Sequence, residues 1–503
     1  MTDSKSTVTR LGGQTLYFLL GNIFTLFVGF PLQVFVARTL GAENLGIFSL
    51  FDAVASLGAN LLSFGLAPTL VKFIPHNLAR GDQASVRLLV NTGFKTLLLA
   101  GGGVALGVWL LQILSVPLPL VAHDHESVVS LMALLVPLLL LNYFFQQGLR
   151  GFQEFRYLVM GTSFLQLGTK TLLTVALLSL GAGLTGYVAA VVLASMVSCA
   201  WLARGLKRRL DSLPPHETTP PQQFRKEWRD YATIWYLHSL IGVITLHFDR
   251  FLLGWLSGAA PVGVLLLVKQ LNEMPGMFFQ MFISIASPMF ASAHARDDAR
   301  ERQHLFHLLI DWVLRLSAPL CLFLLLFAEG VLGLYGGDIA EQGSLALRVL
   351  IAAQLVNLAM GPLGNMLTLS GSERLLIKLT VAEQLVWGGA MLLVVPTHGL
   401  NGLACVTALS ILEHNFVLLF VAKQRLGIRW FDKRFLRWLL PSAVTAAFGA
   451  LVFWRTGGAL SVVELAGVLI SFYLVFFSAS LLQGMHDDDK TLLSHVFNRL
   501  TGR

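Results

Sequence analysis

The run LMALLVPLLLL at residues 131–141 carries no charged side chain, and neither does LCLFLLLF at residues 320–327. Runs like these recur along all 503 residues, and they settle the solvent before anything else. About 20 consecutive apolar residues span the hydrocarbon core of a bilayer as a helix. Lipid offers no partner to an open backbone N–H or C=O, so a spanning segment must satisfy its own backbone. The runs do not alternate polar and apolar positions as the strands of a membrane barrel do. The chain is therefore expected to be an all-α integral membrane protein. Composition agrees: 13% of residues are charged and 55% hydrophobic, against about 25% charged in soluble domains.

Fourteen segments read as transmembrane helices, at about 14–37, 45–73, 88–111, 128–148, 157–180, 184–203, 233–256, 262–291, 305–328, 345–367, 375–395, 400–421, 435–454 and 463–482. Lysine and arginine orient them, because basic loops stay in the cytoplasm. One alternate set of loops, with both termini, holds 28 of the 36 basic residues. The opposite set holds Arg38 and Arg455. Both termini are thus expected inside, and the net charge of +8 reads as a topology signal rather than as an affinity for nucleic acid. The expected organisation is an N-terminal six-helix bundle over 1–203 and a cytoplasmic linker over 204–232. A second six-helix bundle follows over 233–422, then two additional helices and a cytoplasmic tail over 423–503. The linker carries KRR, a Pro-rich stretch (Pro214, Pro215, Pro220, Pro221) and RKEW. Residues 1–13 show no cleavable signal pattern. No phosphate-binding loop pattern is present, which argues against a nucleotide-driven pump. Cys199, Cys321 and Cys405 all lie in apolar runs without metal-ligand spacing and read as packing residues.

The six-plus-six division implies an internal repeat. Residues 37–41 read ARTLG and are followed by Leu45-Gly46; residues 249–254 read DRFLLG and are followed by Val262-Gly263. Each places an arginine before a glycine, then a short loop, then an apolar-Gly pair opening the next helix. Six helices per half would relate the bundles by a pseudo-two-fold axis along the membrane normal. Chance similarity of glycine turns is the competing explanation.

The stretch ARTLGAENLGIFSLFDAVASLGANLLSFGLAPTLVKFIP at 37–75 resembles the opening of the polysaccharide and oligosaccharide flippases. FDRFLLGWLSGAAPVGVLLLVKQL at 248–271 resembles their seventh and eighth helices. That group belongs to the multidrug/oligosaccharidyl-lipid/polysaccharide exporter superfamily. One departure is Leu265, which stands where these proteins often have a tyrosine after the Val-Gly pair. The resemblance implies alternating-access flipping of an undecaprenyl-pyrophosphate-linked oligosaccharide across the bacterial inner membrane, without catalysis. It implies no cofactor beyond proton or Na⁺ coupling. The partners it implies are the lipid-linked glycan, membrane lipids, and glycan polymerase and export machinery. A multidrug antiporter or a peptidoglycan-precursor flippase of the same superfamily is the alternative. A membrane glycosyltransferase or polymerase is disfavoured because no loop is large enough for a catalytic domain.

Charges inside the helices are the candidate machinery, since burying them in lipid is costly and they face the bundle interior. A pyrophosphate calls for Lys or Arg. Lys170 is the deepest basic residue and shares a stripe at spacings of three and four with Ser163, Gln166 and Thr174. The stripe fits a cavity wall and equally an interhelical hydrogen-bonding seam. Arg250, Lys269 and Arg315 complete the substrate-binding candidates with Lys170 and Gln166. Asp311 lies four residues before Arg315, and Glu273 four after Lys269, so local ion pairs are the plainer reading of both. Pro275 then interrupts the eighth segment. Arg250 has the further option of snorkelling to the surface, as have Lys95 and Arg348. Asp52, Asp249, Glu273, Asp311 and Glu413 are the candidates for coupling or charge pairing. Asp52, Glu383 and Glu413 read as unpaired acids, and His247 and His414 as polar packing.

Overall fold

A computed structural model describes residues 2–114, 126–214, 222–431, 435–458 and 460–483. Pro215, Pro220 and Pro221 of the linker and the tail beyond residue 483 lie outside the described residues. Among the described residues every regular element is helical, and nine helices are long and apolar enough to cross a membrane. The protein is an all-α multi-pass membrane protein. By contact it divides into two units, residues 1–263 and 264–503.

The first unit contains α1 (Thr2–Leu61), α2 (Leu66–Ala79), α3 (Gln83–Ile113), α4 (Glu126–Gly151), α5 (Phe155–Val159) and a π-helical segment (Met160–Gln166). It continues with α6 (Leu167–Ser179), α7 (Gly183–Asp211), α8 (Gln222–Ser257) and the start of α9 (Ala259–Glu273). The 60 residues of α1 do not run straight: Gly41, at φ 75 and ψ 172, leaves the helical region and folds the helix into two arms. An L-residue is strained at such a positive φ. The break falls in the turn read between the first two segments.

The segment read over 45–73 is also divided, between Leu61 and Leu66. The cause is a close approach. Gly65 has φ 64, and a Cβ there would lie 2.0 Å from the Ala232 carbonyl oxygen of α8. Beside it, the Tyr236 hydroxyl donates to Leu61 O (2.8 Å) and the Trp228 indole to Thr69 Oγ1 (3.1 Å). Phe73 meets Phe224 and Tyr231 edge-on. The linker read over 204–232 is thus helical at both described ends, with α7 running to Asp211 and α8 opening at Gln222 as an aromatic seam on α2.

The two glycine turns of the sequence repeat touch each other. A Cβ on Gly46 would lie 1.7 Å from Ala259 O, and one on Gly263 would lie 1.9 Å from Ala42 O. The contact is reciprocal, with Ala42/Gly46 facing Ala259/Gly263. Small residues four apart let helix backbones approach where lipid gives no hydrophobic drive for association. At the centre of the unit, α4 packs on α1, α2, α3 and α7. Its buried Asn142 donates to Ser195 O and accepts from Ser198 Oγ, both at 3.1 Å, so its amide is satisfied inside the bundle.

The second unit contains the rest of α9, then α10 (Gly276–Ala295), α11 (Ala299–Leu326), α12 (Ala328–Gly333), α13 (Gly337–Met360) and α14 (Pro362–Leu369). It ends with α15 (Glu373–Leu426), α16 (Phe435–Thr456) and α17 (Val462–Leu482). A straight helix of 54 residues would be about 80 Å long, far beyond a hydrocarbon core of about 30 Å. Gly399, at φ 52, breaks α15 into two arms at the turn read between segments eleven and twelve. The eighth segment breaks at Pro275, as its ring requires. Buried Ser317 of α11 donates to the Pro275 carbonyl (3.0 Å) and so satisfies an acceptor near the break. The two extra helices are fastened to α11 by Phe472, which packs edge-on against Phe323, Phe327 and Phe448, and by the Tyr473 hydroxyl on Leu316 O.

Candidate functional site

The π-helical segment lies just before Lys170 and contains Ser163 and Gln166. Its turns are wider than α-helical ones, and such insertions recur at functional sites. Ser163 sits against α1, where a Cβ on Gly21 would meet its Oγ at 3.0 Å. Thr174 is fully buried, whereas Gln166 and Lys170 between them are half-buried. Uniform α-helical spacing gave no sign of this wider turn.

Lys170 extends towards α7. Its ammonium stands over the Tyr187 ring, 5.3 Å from the centroid. Tyr187 is itself 1% exposed and is fixed edge-on by Phe48 at 4.8 Å. A cation over an aromatic face gains electrostatically from the ring quadrupole. Neither ring was singled out from the sequence, where a lone aromatic in an apolar helix carries no signal.

Arg250 approaches from α8. Its Nη1 is 3.7 Å from Asp52 Oδ2 on the second arm of α1. Lys170 and His247 are the other groups whose charge reaches Asp52. Asp249, adjacent to Arg250, turns elsewhere: its Oδ1 accepts from the Arg250 backbone N–H at 2.8 Å. Within the first unit Arg250 of α8 therefore pairs with Asp52 of α1, and Lys170 of α6, seated on Tyr187 of α7, adds to the field on Asp52. Asp52 is not the unpaired acid of the sequence reading, because its partner lies on a distant helix.

The second unit holds the other candidates in separate places. Arg315 Nη2 and Asp311 Oδ2 are 2.7 Å apart on α11, the local pair that their spacing predicts. Lys269 and Glu273 lie on the last turns of α9, just before the break at Pro275, with Glu273 exposed. On α15 the two arms face each other through Glu383 Oε2 and His414 Nδ1 at 2.8 Å, and through the Trp387 indole donating to Glu413 Oε2 at 3.1 Å. Glu383 and Glu413 are thus also partnered. Next to His414, Asn415 donates to Asn357 Oδ1 (2.9 Å), and Asn357 to Gln354 Oε1 (3.1 Å). No group of three metal-ligating side chains occurs among the described residues.

The described residues thus form an all-helical fold with charged groups packed between helices. Solved structures share that fold. A lipid II flippase, MurJ, in an inward-closed conformation is 12% identical, with a TM-score of 0.67 over 96% of this chain and 100% of that one. An inward-facing multidrug resistance transporter of the MATE family, MOP superfamily, is 17% identical, with a TM-score of 0.65 over 80% and 94%. A MOP superfamily transporter from Pyrococcus furiosus, described as having a binding pocket of reverse polarity, is 17% identical, with a TM-score of 0.57 over 84% and 95%. No curated protein matches the chain. A family model for polysaccharide biosynthesis proteins matches residues 11–294, more than half of the chain. The chain belongs to that family.

Proposed function

We propose that this protein flips an undecaprenyl-pyrophosphate-linked oligosaccharide from the inner to the outer leaflet of the bacterial inner membrane, for cell-surface polysaccharide synthesis. The carrying observation is the Arg250–Asp52 pair inside the first unit, with the charge of Lys170 reaching the same carboxylate. Two cations in one helical unit suit a diphosphate, because a guanidinium binds phosphate oxygens in pairs and an ammonium adds a mobile point charge. Family membership supports the polysaccharide assignment, and the fold is one used by a lipid II flippase. The chain would cross the membrane fourteen times with both termini inside, and would alternate between inward-open and outward-open states around the site. Gln166, Lys269 and Arg315 are further candidates for the glycan and pyrophosphate path. Proton or Na⁺ coupling is assigned to acids among Asp52, Asp249, Glu273, Asp311 and Glu413. A glycan polymerase and export machinery would take the product.

A peptidoglycan-precursor flippase is the second reading, favoured by the length of the chain that the lipid II flippase fold covers. Deletion of the gene separates the two: undecaprenyl-linked surface glycan trapped on the inner leaflet supports the first, and trapped lipid II the second. Lys170→Ala and Arg315→Ala are expected to impair translocation while the protein remains inserted and stable. Normal export by both variants would sink the assignment of these cations to the transport path.

A further inference from the structure

The two intramembrane arginine–carboxylate pairs differ in a way that separates their roles. Arg315 and Asp311 close to 2.7 Å on one helix, at hydrogen-bond distance. Arg250 and Asp52 stand 3.7 Å apart on different helices, beyond hydrogen-bond distance. Arg250 Nε is buried without a hydrogen-bond partner among the described residues. Lys170 rests on a ring face, and Asp249 Oδ1 is committed to the backbone. The guanidinium of Arg250, with five donors, thus holds the Asp52 carboxylate loosely, and the Lys170 ammonium adds its charge to the field on that carboxylate. Two neighbouring cations favour a counter-charge, yet this one lies beyond hydrogen-bond distance of Arg250 and leaves its Nε unspent.

We propose that Asp52 is a resident counter-anion, which offsets part of the positive charge of Lys170 and Arg250 between transport events and is displaced when a diphosphate group takes both cations. The proposal rests on the assignment of Lys170 and Arg250 to pyrophosphate. While resident, Asp52 lowers the net positive charge of the empty site. It also sets a threshold that a monoanion fails and a diphosphate, with more charge and more acceptor oxygens, passes. His247, on α8 one turn before Arg250, adds to the field on Asp52 without replacing either cation.

The test uses the full chain in nanodiscs with inorganic pyrophosphate as the probe, read by calorimetry. Lys170→Ala and Arg250→Ala are each expected to weaken binding at least about tenfold. Asp52→Asn removes the competitor and is expected to bind about tenfold more tightly than wild type. Asp52→Glu retains the charge and the fold; its extra methylene closes the 3.7 Å gap, so it is expected to bind severalfold more weakly. Weakening in both cation variants, with Asp52→Asn and Asp52→Glu unchanged or shifted in the opposite senses, would overturn the counter-anion and leave the cation site standing. Wild-type binding by both cation variants would overturn the pyrophosphate site itself. Should Asp52→Asn not fold, Asp52→Glu alone decides: tighter or equal binding refutes the proposal.

Discussion

Gly46→Ala adds one methyl group where the backbones of α1 and α9 meet. In the wild-type geometry that carbon would lie 1.7 Å from the Ala259 carbonyl oxygen. Carbon and carbonyl oxygen settle at about 3.3 Å, so the helices must part by roughly 1.6 Å at the crossing. A gap of about 1 Å already forfeits up to half of each dispersion well, and both sides are backbone, which no rotamer change can move aside. Overpacking costs about 1–3 kcal/mol, and a clash of backbone with backbone belongs at the upper end. A loss of about 3 kcal/mol in a unit of this size lowers the midpoint by roughly 6 °C or more. The assay is thermal unfolding of detergent-solubilised protein followed by size-exclusion chromatography. Gly263→Ala meets Ala42 O at 1.9 Å and is expected to behave alike. Because one separation relieves both clashes, the double variant is expected to lose much less than the sum of the two. A Gly46→Ala protein within about 1 °C of wild type, or strictly additive losses, would refute the reciprocal crossing.

A double-mutant cycle of Arg250→Ala and Asp52→Ala on thermal stability is expected to give a coupling of about 1 kcal/mol, the scale of a loose, partly exposed pair; zero coupling would show that the two do not interact. The Glu383–His414 bond across the arms of α15 is short, and Glu383 is 11% exposed. Glu383→Gln is therefore expected to cost about 1–2 kcal/mol, and Glu383→Gln added to His414→Phe almost nothing more, by the same unfolding measurement. Ser317→Ala removes the side-chain donor to the Pro275 carbonyl and is expected to cost about 1 kcal/mol. Ser287→Ala is the control and should be near neutral, because Ser287 bonds only the Ile283 carbonyl of its own helix.

The sequence by itself determined whatever depends on neighbours along the chain. Charge-free runs of helical length require a membrane and helices, because lipid satisfies no open backbone. Gly41, Pro275 and Gly399 mark breaks through their own backbone chemistry, and Asp311 and Arg315 meet because four residues make one helical turn. The glycine repeat was legible as a pattern, and its meaning came only with the contact of Gly46 and Gly263. Tertiary structure decided the rest. Asp52 and Arg250, Lys170 and Tyr187, and Glu383 and His414 lie on different helices or different arms, and no local spacing joins them. The π-helical segment falls within the expected polar stripe, and no residue announces it. The physical reason is the solvent. In water an apolar face points to the core and reveals packing partners. In lipid the outer face is as apolar as the inner one, so helices are readable while their facing sides are not. Only the few charged and small residues, once packed, show which sides those are.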